Sequence, residues 1–260
     1  MKKEDKIAGM DINEWIDAAK IKAEEIVENK KYKKYLISIL DILGIKALIY
    51  KHRNNDEYIA INIIEKMQRI VKDVINSLDL TFKIDILNIS DSFVFICEPS
   101  LVRELITMLA IVQFHILLEC NQLLRGAVTI GDAIKDDVGK TIIGPAFIRA
   151  YLIQEKDSIY PRIIIDNCVK KEVMKKPVLK DFISFDSDRE CYLNYLKIFM
   201  NITKNDHSDL ITMFKREGLF KFLQEKYDEF NKDNEEDHNK KQKYGWTIEY
   251  YKNLEVWQSD

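Results

Sequence analysis

The chain has 260 residues, enough for one large domain or for one domain with helical additions. Apolar residues at 47% and charged residues at 32% exclude a disordered polypeptide, and 8 glycines and 4 prolines exclude collagen-like and proline-rich architectures. A net charge of −3 supplies no general basic field, so nucleic acid is not an expected partner.

In chain order, MKKEDKIAGMDINEWIDAAK is charged and amphipathic, unlike a signal peptide. Asp11 caps a predicted helix through NEWIDAAKIKAEEIVENKK, with Ile12, Trp15 and Ile26 on one face, so residues 1–32 form an expected N-terminal helical extension. A short β-rich run predicts a strand at Tyr35 to Asp41, and a helical pattern follows from Ile45 to Ser77, broken at His52–Asp56. LTFKIDILNI alternates with period two, SDS turns the chain and FVFICE returns as the second arm of a hairpin. PSLVRELITMLAIVQFHILLECNQLL is a predicted helix. Its most apolar stretch, Leu105 to Leu118, is about 14 residues against the roughly 20 that span a bilayer. A core or interface helix is therefore expected, with no membrane partner and a cytoplasmic location.

RGAVTIGDAI reads as the next strand. The order β-α-β-β-α-β is the ferredoxin-like split βαβ, an α+β fold with an antiparallel sheet and helices on one face. A ribbon around KDDVGKTIIG, a helix from Pro145 to Lys156 and a strand RIIID extend it, giving an expected catalytic domain over 33–185. From about Asp186 the pattern is helical and charged, an expected C-terminal helical extension over 186–260 packed on that domain. Within it, KYDEFNKDNEEDHNKKQKYG reads as a solvated helix end and loop.

YLISILDILGIKALIY places one carboxylate, Asp41, in an apolar run, where an unpaired charge costs several kcal/mol or more. Asp91 lies in the hairpin turn, and the βαββαβ arrangement sets that hairpin beside the first strand. Two neighbouring carboxylates repel unless one is protonated or a cation bridges them. Over a helix start, whose amides favour phosphate, the pair suits a divalent metal–triphosphate complex. Taken singly, Asp41 reads equally as a helix cap and Asp91 as a turn residue. The other chemistry-bearing residues are weaker candidates. Cys97, Cys120, Cys168 and Cys191 have no metal spacing and read mostly as buried thiols; His52, His115, His207 and His238 show no paired spacing, and His115 reads as a satisfied core histidine. No nucleophile elbow occurs, and GKT at Gly139 to Thr141 lacks the Walker glycine.

ISILDILGIKALI resembles the first-metal motif of class III nucleotidyl cyclases, and LNISDSFVFI resembles their second-metal hairpin. RGAVTIGD, IIGPAFIRAYLIQE and YPRIIID follow in the same order. The wording DILG, SDS, RGAVTIG and GPA…AY, with KYGWTIEYYKN near the end, is closest to the pyrimidine cyclases of bacterial Pycsar antiphage defence. The resemblance implies conversion of UTP, or alternatively CTP, into a 3′,5′-cyclic monophosphate and pyrophosphate. It also implies two Mn²⁺ or Mg²⁺ ions per site, a head-to-tail homodimer, and a separate effector that reads the product as an antiviral signal.

Carried over by position, Asp41, Asp91 and the carbonyl of Ile42 match the metal ligands, and the amides of Leu43, Gly44, Ile45 and Lys46 match the triphosphate cradle. Lys46 reads equally as a solvated lysine. Leu87 and Thr141 match the base-selecting positions, where a purine code is missing; Thr141 also reads as a plain strand residue. Ile148 and Leu152 fall where the family carries a transition-state Asn and Arg. Arg125 and Arg149 are the substitutes for that charge, with Arg125, Thr141 and the Gly144–Leu152 segment expected from the partner protomer. Arg125 otherwise pairs with Asp132 or another acid. A catalytically inactive nucleotide-binding dimerisation module remains the alternative to an enzyme.

Overall fold

A computed structural model describes residues 6–7, 10–11, 31–45, 48–49, 59–81, 83–136, 141–202, 218–230 and 235–253. The predicted N-terminal helix lies outside these residues. Asp11, its expected cap, instead pairs with Lys6 in a short antiparallel ladder of β1 (Lys6–Ile7) and β2 (Met10–Asp11).

The central strand is β3 (Lys33–Ile42). Its side chains alternate between two cores: Leu36, Leu40 and Ile42 join one cluster, Ile37 and Ile39 another. Burial on both faces is why this strand reads as a nearly continuous apolar run. Its neighbours are β5 (Ser92–Cys97) and β6 (Leu124–Lys135), and β4 (Ile84–Ile89) lies outside β5; all three pairings are antiparallel. The spatial order β4-β5-β3-β6 is the expected split βαβ sheet, and the fold is α+β. Beyond β6, strands β8 (Ile163–Ile165), β10 (Cys191–Leu193) and β9 (Ile183–Phe185) continue the sheet, with β8 parallel to β6 and β7 (Ile142–Ile143) paired to the end of β6. At Gly126 a Cβ would meet the Ile39 carbonyl oxygen at 2.4 Å, so only glycine lets β6 lie against β3 there.

Helices α1 (Ile59–Ser77) and α2 (Val102–Cys120) pack on the Leu36, Phe93, Phe95 and Val128 face. The opposite face is not bare, as a one-sided arrangement would leave it. Helix α3 (Pro145–Lys156) covers part of it, laying Ala146 and Ala150 against Ile37, Ile39, Val94 and Ile96. The stretch Pro99–Cys120 is long and apolar enough to cross a membrane by length and composition alone; its most apolar 18-residue window has mean hydropathy 1.8, and 61% of that window is buried within the fold. It ends earlier than predicted. Asn121, in the left-handed region at φ 52, donates its N–H to Leu117 O at 3.1 Å, closing the helix before Leu124 enters β6.

The chain continues through α4 (Asn167–Met174), α5 (Tyr195–Ile202), α6 (Leu219–Glu229) and α7 (Glu235–Lys252). Two expectations are corrected here. Cys191–Leu193 after Asp186 is a strand, because three buried residues paired to β8 and β9 carry no periodicity a sequence can show. EEDHNKKQKYG is the first half of α7 and not a loop.

Candidate active site

The strand register sets Asp41 opposite Ser92 on β5 and Arg125 on β6, on the sheet face that α3 covers. Its side chain is only 16% exposed. Ser92 Oγ donates to Oδ1 at 3.2 Å, while Arg125 Nε at 2.9 Å and Gln154 Nε2 at 3.1 Å both donate to Oδ2. Burial nevertheless pushes the carboxyl above its ordinary range. Arg125 and Ser92 draw it back, and the nearby Asp91 charge raises it further. Asp91 occupies the two-residue loop between β4 and β5, where Ser90 takes φ 57, and the Ile89–Ser92 pairing holds this loop at Asp41's end of the sheet. The register thus sets both acids predicted from distant motifs at the same end of the sheet.

After Ile42, residues Leu43 and Gly44 turn the chain, with Gly44 at φ 86, and Ile45 opens a helical turn. The Leu43 amide donates to Leu123 O at 2.9 Å and is already engaged. The Gly44 and Ile45 amides remain at the opening turn, where a helix supplies no acceptor of its own. Lys46 lies outside the described residues. Two carboxylates and a strand-end carbonyl form an oxygen-only donor set, which fits a hard divalent cation such as Mg²⁺ or Mn²⁺ and leaves coordination positions for water and phosphate. No third His, Cys, Asp or Glu joins them among the described residues.

Leu87 and Thr141, separated in sequence, line one pocket of 460 Å³ with Phe147 and Ile89 beside the α3 face. Arg125, expected from the partner protomer, belongs to the same chain as the Asp41 it touches; its other anticipated acid, Asp132, lies further along β6 opposite Lys34. Arg149 is engaged elsewhere. Its guanidinium forks onto Asp166, with one arm at 2.6 Å from Nη2 to Oδ1. Ile148 and Leu152 stand one turn apart on α3, 58% and 40% exposed.

The sequence reading missed three polar residues around Asp41. Ser92 was read as part of the turn but begins β5; Gln154, 5% exposed, is the buried polar side chain of α3 and was legible only as a glutamine on an otherwise apolar helix face. Lys243 arrives from α7. Burial and the Arg125 charge push its ammonium below the ordinary lysine range, while the Asp41 charge pulls it back up. Of the other candidates, His115 bonds Glu119 at 2.9 Å and His238 bonds Gln242, while His52 and His207 lie outside the described residues. All four cysteines are free, and burial pushes Cys97 up to about 12 and Cys191 to about 11, which makes them inert thiols.

No protein-family model matches the chain, and no curated protein matches it. Among solved structures, a bacterial light-regulated adenylyl cyclase is similar at 13% identity and a TM-score of 0.47, covering 67% of this chain and 98% of that one. The adenylyl cyclase CyaB from P. aeruginosa is similar at 13% and 0.47, covering 63% and 93%. A guanylyl cyclase domain from the aquatic fungus Blastocladiella emersonii gives 10% and 0.47, covering 62% and 93%. With so few residues shared, the chemistry of the site has to be read from its own side chains.

Proposed function

We propose that this chain is a pyrimidine nucleotide cyclase that converts UTP into 3′,5′-cyclic UMP and pyrophosphate. The observation that supports this reading is that the strand register sets Asp41 and the Asp91 loop at one end of the sheet, beside a strand-to-helix junction, where burial raises the Asp41 carboxyl despite three hydrogen-bond donors. Such a pair is costly to keep unless it serves a cation. Asp41, Asp91 and the Ile42 carbonyl would hold two Mn²⁺ or Mg²⁺ ions, which when bound supply Lewis acidity at the ribose 3′-oxygen and along the triphosphate.

The remaining roles belong to the chain. Leu87 and Thr141 seat the base, and their lack of paired charges suits a pyrimidine. The Gly44 and Ile45 amides receive phosphate oxygens. The O3′–Pα bond forms as the bond from Pα to the bridging oxygen breaks; pyrophosphate leaves and the hydroxyl proton passes to water. Arg125 is the cation placed to meet charge at the α-phosphate, a role that Ile148 and Leu152 cannot fill. A head-to-tail homodimer is part of the proposal, supported by the exposed Ile143, Ile148 and Leu152 on and beside α3. By the family resemblance, the product signals to a separate effector during phage infection.

Incubation with each of the four NTPs and Mn²⁺, with products separated by chromatography, tests the reading. UTP is the expected best substrate; CTP as the best would move the assignment to a cytidylate cyclase, and ATP as the best would overturn the roles of Leu87 and Thr141. Asp41→Ala and Asp91→Ala are each expected to lower turnover by roughly a thousandfold or more while the protein stays folded. Turnover retained in both would refute the metal-pair mechanism. Background activity with all NTPs alongside intact triphosphate binding would favour the inactive module, to which the apolar Ile148 and Leu152 point.

A further inference from the structure

The two carboxylate oxygens of Asp41 have unlike surroundings. Oδ2 takes Arg125 Nε at 2.9 Å and Gln154 Nε2 at 3.1 Å, one donor for each of its lone pairs. Oδ1 receives only the Ser92 hydroxyl among the described residues, and that contact is 3.2 Å long. O–H···O bonds run from about 2.5 to 3.0 Å, with most near 2.7–2.8 Å. The Ser92 contact is therefore loose for a hydrogen bond, although the register holds the two residues directly opposite each other on β3 and β5.

The same separation suits a different role. Two oxygens on neighbouring corners of an octahedral cation, each about 2.0–2.1 Å from the ion, stand about 3.0 Å apart. Asp41 Oδ1 and Ser92 Oγ lie close to that spacing. A hydroxyl is also an adaptable ligand, because rotation about its C–O bond turns a lone pair to where its hydrogen pointed before. Ser92 follows Asp91 directly in the chain, so one stretch of backbone carries both. No third His, Cys, Asp or Glu joins the two aspartates among the described residues, and the Ser92 hydroxyl is a further side-chain oxygen that the structure sets against Asp41.

Resting on the metal-pair reading above, we propose that Ser92 is a direct ligand of the divalent cation held at Asp41, with Ser92 Oγ and Asp41 Oδ1 in adjacent coordination positions. The ion meets Oδ1 while Arg125 and Gln154 keep Oδ2. Those two donors therefore fix the carboxylate's orientation and share its charge without occupying the corner that the ion takes. The Ser92 hydroxyl stays neutral: its hydrogen turns from Oδ1 to water, and no covalent bond breaks. A neutral ligand beside two acids adds an oxygen to the ion without adding repulsion between the carboxylates.

The test uses the full chain with Mn²⁺ or Cd²⁺ alone as the probe and no nucleotide. Calorimetry should show Mn²⁺ binding that Asp41→Ala abolishes. Ser92→Ala, with an unchanged melting temperature in the absence of metal, should bind Mn²⁺ roughly tenfold more weakly, and Ser92→Thr, which keeps the hydroxyl, should restore the affinity. A serine that only orients Asp41 would give the same loss, so Ser92→Cys separates the two roles. Sulfur prefers soft ions, so this variant should lose Mn²⁺ affinity and gain Cd²⁺ affinity, with a cadmium–thiolate absorption band in the ultraviolet. That band should exceed the background from the four native cysteines and should vanish when Asp41→Ala is added. Ser92→Ala that binds Mn²⁺ as tightly as wild type overturns the proposal, as does Ser92→Cys with no band beyond that of wild type. In both cases Asp41-dependent Mn²⁺ binding leaves the metal-pair reading standing. Wild type without Asp41-dependent Mn²⁺ binding rejects that reading, and the role of Ser92 with it.

Discussion

Arg125 has two calls on one guanidinium. In the described state its Nε bonds the Asp41 oxygen that Gln154 also bonds, so a cation approaching that carboxylate competes with both donors. Replacing Arg125 with methionine keeps much of the stem packing and removes the competitor. Metal binding by Arg125→Met, followed by Mn²⁺ titration calorimetry, is expected to tighten while kcat falls by about 10²–10³, the loss typical of a missing charge-stabilising donor. A parallel loss of both would instead make Arg125 a scaffold for Asp41. The raised Asp41 carboxyl has its own consequence. A group protonated more readily in the fold than in the unfolded chain favours folding at low pH, and that contribution is lost as pH rises through its folded value. Asp41→Asn should therefore leave the metal-free protein at least as heat-stable as wild type at neutral pH. Mn²⁺ at a hundred times its Kd should add about 2.7 kcal/mol to wild type alone, a shift of several degrees in melting temperature.

Between elements, Asp166 acts as a single tie for three of them. It receives Thr129 Oγ1 from β6 at 2.6 Å and the Arg149 fork from α3, and it caps α4 by accepting from Asn167 N at 2.7 Å. Burial alone would raise this carboxyl, but the bonds from Arg149, Thr129 and Cys168 bring it down to about 2. Its folded value is depressed, so its contribution to stability is present above about pH 4 and lost as pH falls toward 2. Asp166→Asn is expected to cost about 1–3 kcal/mol at pH 7 and to remove that part of the acid dependence, read by denaturant unfolding at several pH values. A variant with wild-type acid sensitivity would place the dependence on other carboxylates. The same tie explains how much the sequence could show. Strands β3 to β6 and helices α1 to α3 were legible because each carries an apolar period or a turn signal, and Asp41 stood out as a charge in an apolar run. Strand β10 was not legible, since three buried residues have no period. Nor were the bonds of Arg149 to Asp166 and Gln154 to Asp41, since side-chain pairings across the sheet leave no mark on local spacing.

For the molecule as a whole, the face bearing the candidate site is also the one with exposed apolar residues at Ile143, Ile148 and Leu152. If two protomers bury this face, charge placed there must disrupt association. Ile148→Glu is expected to shift the protein from dimer to monomer in sedimentation and to lower turnover in step, with rescue of activity at high protein concentration. A monomeric wild type of full activity would remove the dimer from the mechanism.

Strand β3 finds its partner β6 only after α1, the β4–β5 hairpin and α2 have been made. At a translation rate of about 5–20 residues per second, this largely apolar strand therefore waits several seconds for one of its two neighbours. Helix α7, which brings Lys243 and Trp246, emerges later still. A nascent chain thus carries Asp41 long before it carries Arg125, Gln154 and Lys243, the side chains that surround that acid in the fold.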